Sequence, residues 1–254
     1  MEVHHHAHHP KKWKEYFWEF FMLFLAVFCG FLAEYQLEHF IEQQREKKYM
    51  LSLKDELVAD TARFAASMQK VRELHPLLDS FYINVKNARA YNYTIKGKWN
   101  VYINENTITY LPALTTILQI KNSGNLRLIK NHELLKEVIR YEAMVMNSYA
   151  VIAQTVQDAK EKVYTFEDRY CNYDDFSVSL TNDLNKKKPI YGLSDSKIVY
   201  DMPIISKDPD VLNEFANLAI NYKGRLRGYA DQVVKVNQQA DVLIKMINKA
   251  YHLN

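Results

Sequence analysis

FFMLFLAVFCGFLA, Phe20 to Ala33, is an apolar run without a single charge. Lys11, Lys12, Trp13, Lys14, Tyr16 and Trp18 precede it, and Glu34, Tyr35, Glu38 and His39 follow. Crossing a bilayer takes about 20 residues, which a helix from Tyr16 to Tyr35 supplies with Glu19 and Glu34 near its two ends. An ionised group at the bilayer centre costs several kcal/mol, whereas one near an end reaches the interface. Tyr16, Trp18 and Tyr35 suit the aromatic belts. The run therefore reads as a transmembrane helix, residues 16–35, behind a His-rich and basic tail, residues 1–15, and ahead of a soluble domain, residues 36–254.

Other readings of the run fit less well. No other segment is hydrophobic all round, which disfavours a buried core helix. A cleaved signal peptide requires a small-x-small site after the run, and none follows. A lipid-attachment box requires small residues ahead of Cys29, where Val27 and Phe28 stand. An uncleaved signal anchor remains. Lys11, Lys12 and Lys14 favour a cytoplasmic N-terminus, a bias that Arg45, Lys47 and Lys48 weaken. The expected placement is a single pass through a bacterial inner membrane with the large domain in the periplasm.

The rest of the chain is ordinary for a folded helical domain, with 48% hydrophobic and 25% charged residues and only six glycines and six prolines. A net charge of +3 is too small to argue for nucleic acid. Cys29 and Cys171 are the two cysteines, so there is no intrachain disulfide framework.

Periodicity predicts an all-α fold, an elongated antiparallel bundle. A first helix runs from about Glu34 to Leu74 with Leu53, Leu57, Phe64, Met68 and Val71 as its apolar stripe. EQQREKK, Glu42 to Lys48, reads as a solvated stalk. Pro76 is expected to end this helix, and Leu77 to Tyr91 to turn back as the second. The third is the clearest: Leu135, Val138, Glu142, Val145, Tyr149, Ile152, Val156, Ala159, Val163, Phe166 and Tyr170 alternate in steps of three and four. Asn131 is its expected N-cap. The fourth keeps the same spacing through Phe215, Ala219, Tyr222, Leu226, Tyr229, Val233, Val236, Ala240, Leu243, Ile247 and Ala250, opened by Asp208-Pro209. Helices of about forty residues, each about 60 Å long, predict up-down-up-down packing. The His75-Pro76 turn and the connection 171–207 then lie at the distal tip. The turn 121–130 and the C-terminus lie near the membrane. Residues 92–106 interrupt the second helix with strand-like and turn residues, and Thr107 to Ile120 resumes as a short helix. Residues 171–207 form a lobe at the tip.

Two groups of residues qualify as sites. His4, His5, His6, His8 and His9 are dense enough to bind a divalent transition metal, although spacing alone sets no geometry. A purification tag is the rival reading, and Ala7 interrupts it. Glu19, Ala26, Gly30 and Ala33 share one face of the span, with Glu34 beside it. Small residues four apart let helix backbones approach, so this face is the expected membrane interface. Enzyme constellations are missing. His75, His132 and His252 are scattered, and the glycines outside the span are isolated. Tyr91, Tyr93, Trp99, Tyr102 and Tyr110 form a dense group that either lines a cleft or packs an irregular segment, the latter being the default.

The opening MEVHHHAHHPKKWKEYFWEFFMLFLAVFCGFLAEYQLEH resembles the start of a group of bacterial single-span proteins of unknown function, which share a His-rich tail, an FxEFxMxFLAVxxGFxAE-like span and a charged helix. KNSGNLRLIKNHELLKEVIRY, Lys121 to Tyr141, resembles an SGNLxLIxN-like motif of a related family. The resemblance implies topology and no activity. The sequence reading is a non-enzymatic, membrane-anchored interaction protein, self-associating or part of an envelope complex, with the lipid bilayer as its first partner. The alternatives are a ligand-sensing ectodomain acting through a partner and an oligomeric ion pathway lined by the span glutamates.

Overall fold

The computed structural model describes residues 12–95, 109–172 and 202–253. Helix α1, Trp13–Lys86, is one unbroken helix of 74 residues, roughly 110 Å at 1.5 Å per residue. Its N-terminal part contains the apolar run, with a mean hydropathy of 1.9 and nothing buried, and by length and composition it can cross a membrane. Its C-terminal half is a bundle helix.

Helix α1 does not end at Pro76. Its buried positions are Glu46, Met50, Leu53, Leu57, Asp60, Phe64, Ser67, Val71, Leu74, Leu78, Phe81 and Val85, strictly alternating in steps of four and three. Pro76 falls on the exposed face of that pattern. A proline in a helix interior costs about 3 kcal/mol through its missing N–H and ring clash. Leu74, Leu78 and Phe81 flank it in the seam, nearly fully buried, and full burial of each such side chain contributes about 1.5–3 kcal/mol. Packing wins, and the helix runs on to Lys86.

A 3₁₀ turn, Ala88–Tyr91, then reverses the chain, with Asn92 and Tyr93 in the left-handed region. Strand β1, Thr94–Ile95, follows. Leu77 to Tyr91 does not turn back as a second helix, because residues 77–86 continue α1. In its place, residues 109–114 run without helix before α2, Thr115–Asn122, and a 3₁₀ turn, Asn125–Leu128. Pro112 sits in the non-helical part and disfavours helical geometry in the residue before it. The direction matches expectation, since Tyr110 lies beside Asp60, Thr116 beside Glu56 and Asn125 beside Tyr49. This segment descends along α1 towards its N-terminal part and is called here the return segment.

Helix α3, His132–Met144, starts at the expected cap, with the Asn131 side chain accepting from the Leu134 N–H at 3.1 Å. It passes through a π-helical turn, Val145–Tyr149, into α4, Ala150–Tyr170. The buried residues here are Leu134, Val138, Tyr141, Val145, Tyr149, Ala153 and Val156. Three consecutive steps of four would carry an α-helical seam out of the core, and the wider π turn absorbs that drift. The seam therefore shifts from the expected one. Tyr141 takes the place of Glu142, and Ala153 that of Ile152, which is only half-buried. Helix α5, Pro209–Tyr251, is capped by Asp208 and buries every expected seam residue but Ala250. It runs antiparallel to α1, with Asn213 bonded to Lys86, Tyr229 to Ser67 and Tyr251 to Glu46.

The bundle is thus three long helices, α1, α3–α4 and α5, with the return segment in the fourth place. At the distal tip, β1 pairs antiparallel with β2, Met202–Pro203, and Cys171 forms a bridge with Ile204. Towards this end of the bundle Phe215 stacks on Phe166 and meets Phe81 edge-to-face. His75 lies within α1, a turn or more short of the tip. Residues 173–201, most of the expected lobe, lie outside the described residues, as do residues 96–108, which include most of the expected interruption of the second helix.

Candidate functional site

The expected membrane face is intact as a helix face. Glu19, Ala26, Gly30, Ala33 and Glu34 are all exposed on α1, and a Cβ built on Gly30 meets nothing within 4 Å. Apolar surface continues past the span, with Leu37 59% and Phe40 58% exposed and Ile41 beside them. The histidines of the tail, His4 to His9, lie outside the described residues. Among the described residues no group of His, Cys, Asp and Glu is placed to hold a metal ion.

Sequence reading missed the densest polar constellation. It lies in the bundle and begins with three carboxylates of α1. The return segment is not helical at Tyr110–Leu114 and starts a new helix at Thr115, so its backbone N–H groups need outside acceptors. Helix α1 supplies them. Glu56 accepts the Thr116 N–H at 3.1 Å and the Thr116 hydroxyl at 2.8 Å, which caps the first turn of α2, where negative charge also suits the helix dipole. Glu46, buried in the stretch expected to be a solvated stalk, accepts the Lys130 N–H at 3.1 Å and the Tyr251 hydroxyl at 2.7 Å. Asp60 accepts the Tyr110 hydroxyl at 2.5 Å, with the Ala113 N–H and the Tyr141 hydroxyl each at 3.4 Å.

Around Asp60 the network spreads to every long element. Arg63 donates to the Tyr110 hydroxyl at 2.9 Å and stands 3.9 Å from Asp60. The Tyr149 hydroxyl donates to the Tyr110 carbonyl. The Tyr110 N–H donates to the Tyr229 hydroxyl at 2.9 Å, and that hydroxyl shares bonds of 2.8 Å with Tyr149 and with Ser67. Phe64 closes the layer with edge contacts to Tyr110 and Tyr149. The five aromatics noted between residues 91 and 110 are only partly described. Tyr110 sits here, while Tyr91 and Tyr93 lie at the end of α1, and Trp99 and Tyr102 fall outside the described residues.

Burial raises the pKa of Asp60 above the ordinary carboxylate value, while its hydrogen bonds and Arg63 pull the other way. Burial likewise raises Tyr110, Tyr141 and Tyr149, which keeps these phenols neutral donors. Cys171 is buried and its thiol pushed up, the signature of an inert cysteine. The chemistry this arrangement performs is fixation of a non-helical strand inside a helical bundle. Among the described residues an open groove of about 260 Å³ lies between α4 and α5, lined by Lys162, Thr165, Phe166, Arg169 and Tyr170 of α4 and Glu214 and Leu218 of α5.

A signal for the network was present in the sequence. Asp60 and Ser67 occupy seam positions of α1, where a polar residue must find a partner. What those partners are was not readable, because Tyr110 and Tyr229 lie 50 and 162 residues away from their α1 partners.

No family model, curated protein or solved structure matches the chain. The resemblance of its opening residues therefore carries no family assignment, and function rests on the physical features above.

Proposed function

We propose that the protein is a non-enzymatic, membrane-anchored helical scaffold. In this reading α1 crosses a bacterial inner membrane once, the bundle stands on the periplasmic side, and the spans associate with one another or with other subunits of an envelope complex. The observation that carries it is the stretch Trp13 to Ile41, helical, largely apolar and covered by no described part of the chain. About 20 residues fill the hydrocarbon layer, so Leu37, Phe40 and Ile41 extend apolar surface beyond it, up to the level where the bundle begins. Exposed apolar surface of this kind favours a partner. The face of Glu19, Ala26, Gly30, Ala33 and Glu34 offers close approach within the membrane.

Binding of a divalent transition metal by His4, His5, His6, His8 and His9 belongs to the same proposal and rests on imidazole density. A sensing role through a partner is the second reading. It is favoured by the continuity of α1, which joins the span to the distal tip without a break.

The test is extraction and mass measurement of the full chain in mild detergent, with crosslinking to recover partners. Release from membranes by alkaline carbonate would remove the anchor. Gly30→Leu should shift the oligomer distribution towards monomer, since nothing in the protomer itself contacts that position, while Phe24→Leu should leave it unchanged. Equal distributions for wild type and Gly30→Leu would remove self-association through this face and leave the envelope-complex reading ahead.

A further inference from the structure

Asp60 is a carboxyl group buried among mostly neutral donors. Its side chain is 1% exposed. From α1 itself it is faced by Arg63, whose own side chain is 57% exposed, and by Glu56 one turn earlier. The return segment contributes the Tyr110 hydroxyl and the Ala113 N–H, and α3 contributes the Tyr141 hydroxyl. Behind them stand Tyr149 of the π turn and Tyr229 of α5, both bonded to the backbone of Tyr110. One donor is close and the other two are long, and the counter-cation sits largely in solvent.

We propose that Asp60, Tyr110 and Tyr141 form an acid-tightened latch, in which protonation of Asp60 fixes residues 109–114 on α1 and ionisation loosens them. The step moves one proton from solvent to the carboxylate. The protonated group still accepts from Tyr110 through one oxygen. Through the other it donates to the Tyr141 hydroxyl, turning a long contact into a hydrogen bond between neutral groups. The ionised group must instead hold a buried charge on one short and two long contacts with its cation in solvent, an expensive state in a low-dielectric interior that opening of the covering Tyr110 to Ala113 stretch relieves by letting water reach the carboxylate.

Burial raises the Asp60 pKa and outweighs the bonds from Tyr110, Ala113 and Tyr141 and the nearby Arg63, all of which pull it down. With the folded pKa raised, the stabilising contribution is complete below the unfolded value of about 3.9 and is lost as pH rises through the folded value. Acidification from neutrality therefore strengthens this layer, opposite to the usual behaviour of a salt-bridged carboxylate. Loosening frees Tyr110 to Leu114 and takes the backbone partners from Tyr149 and Tyr229, so the change is local to the seam between α1, the π turn and α5.

Hydrogen exchange on the full chain in detergent micelles, from pH 7.5 to 4.5 and corrected for the intrinsic rate, tests the latch. Protection of the 109–116 amides should rise with acidity, by at most about tenfold per pH unit for one linked proton, while Val211 to Ala219 near the tip should show no such rise. Asp60→Asn, a mimic of the protonated group, should give high protection without the slope. Tyr110→Phe should give low protection throughout. Protection in wild type that is flat or falls with acid, or a slope that survives in Asp60→Asn, overturns the proposal. If Asp60→Asn does not fold, the comparison of the two regions within wild type decides.

Discussion

Tyr222 and Tyr229 offer a matched pair on one helix. They lie seven residues apart on the α5 seam and both are fully buried, so removing the hydroxyl changes the same atom in similar surroundings. Tyr229 is bonded to Ser67 and Tyr149, and its oxygen accepts the Tyr110 N–H. Tyr229→Phe leaves that amide without its acceptor, and an unsatisfied buried donor costs about 1–3 kcal/mol. For a domain of this size each kcal/mol moves Tm by about 2–4 °C, so a loss of about 2 kcal/mol predicts a fall of roughly 4–8 °C. The Tyr222 hydroxyl has no hydrogen-bond partner among the described residues. Tyr222→Phe removes a desolvated polar group and should leave Tm unchanged or raise it by about 1–2 °C, on the same scale. Thermal unfolding of both variants in the same detergent, followed by far-UV circular dichroism, measures the difference. Equal shifts for the two would refute the assignment of the Tyr110–Tyr229 bond as a stabilising contact, and a larger loss at Tyr222 would reverse it.

Pro76→Ala should restore an N–H to the helix interior and raise Tm by several degrees, given a proline cost of about 3 kcal/mol. A fall would mean that the proline shapes the seam instead of merely being tolerated in it. Val156→Asp should unfold the bundle, because Val156 is buried and an aspartate there has no partner. Ile152→Asp, at the half-buried edge, should be tolerated far better, and a circular dichroism melt of each variant separates the two. The native histidine tail should retain the chain on immobilised nickel and release it below about pH 6, as imidazoles with a pKa of about 6.5 protonate. Retention that survives deletion of Val3 to His9 would place the metal elsewhere.

Much of the architecture was legible because its signals are local. The apolar run, the seam of α5, the Asn131 cap and the Asp208-Pro209 start each depend on residues within a turn or two, and the structure places them as read but for Ala250, while the α3–α4 seam is shifted by one residue in places. Counting directions also put the C-terminal end of α5 back towards the span, where Tyr251 meets Glu46, and the ends of the 171–207 connection at the tip, where Cys171 pairs with Ile204. Local rules misled where packing outweighed them. Pro76 reads as a terminator, yet buried neighbours on the opposite face hold α1 straight through it. Ile152 reads as core, yet one extra residue in the π turn hands its place to Ala153.

Sequence by itself determined that the chain is largely helical, roughly where the apolar stripes of the long helices run, and that one helix is long and apolar enough for a membrane. Only the tertiary structure decided that the fourth place in the bundle belongs to a partly non-helical strand, and that carboxylates of α1 hold it there. The physical reason is range. A helical period repeats every few residues and can be counted along the chain, whereas the acceptor for an orphaned amide is whatever side chain the fold brings within about 3 Å. For the Tyr110 and Thr116 amides those acceptors, the Tyr229 hydroxyl and the Glu56 carboxylate, lie 119 and 60 residues away.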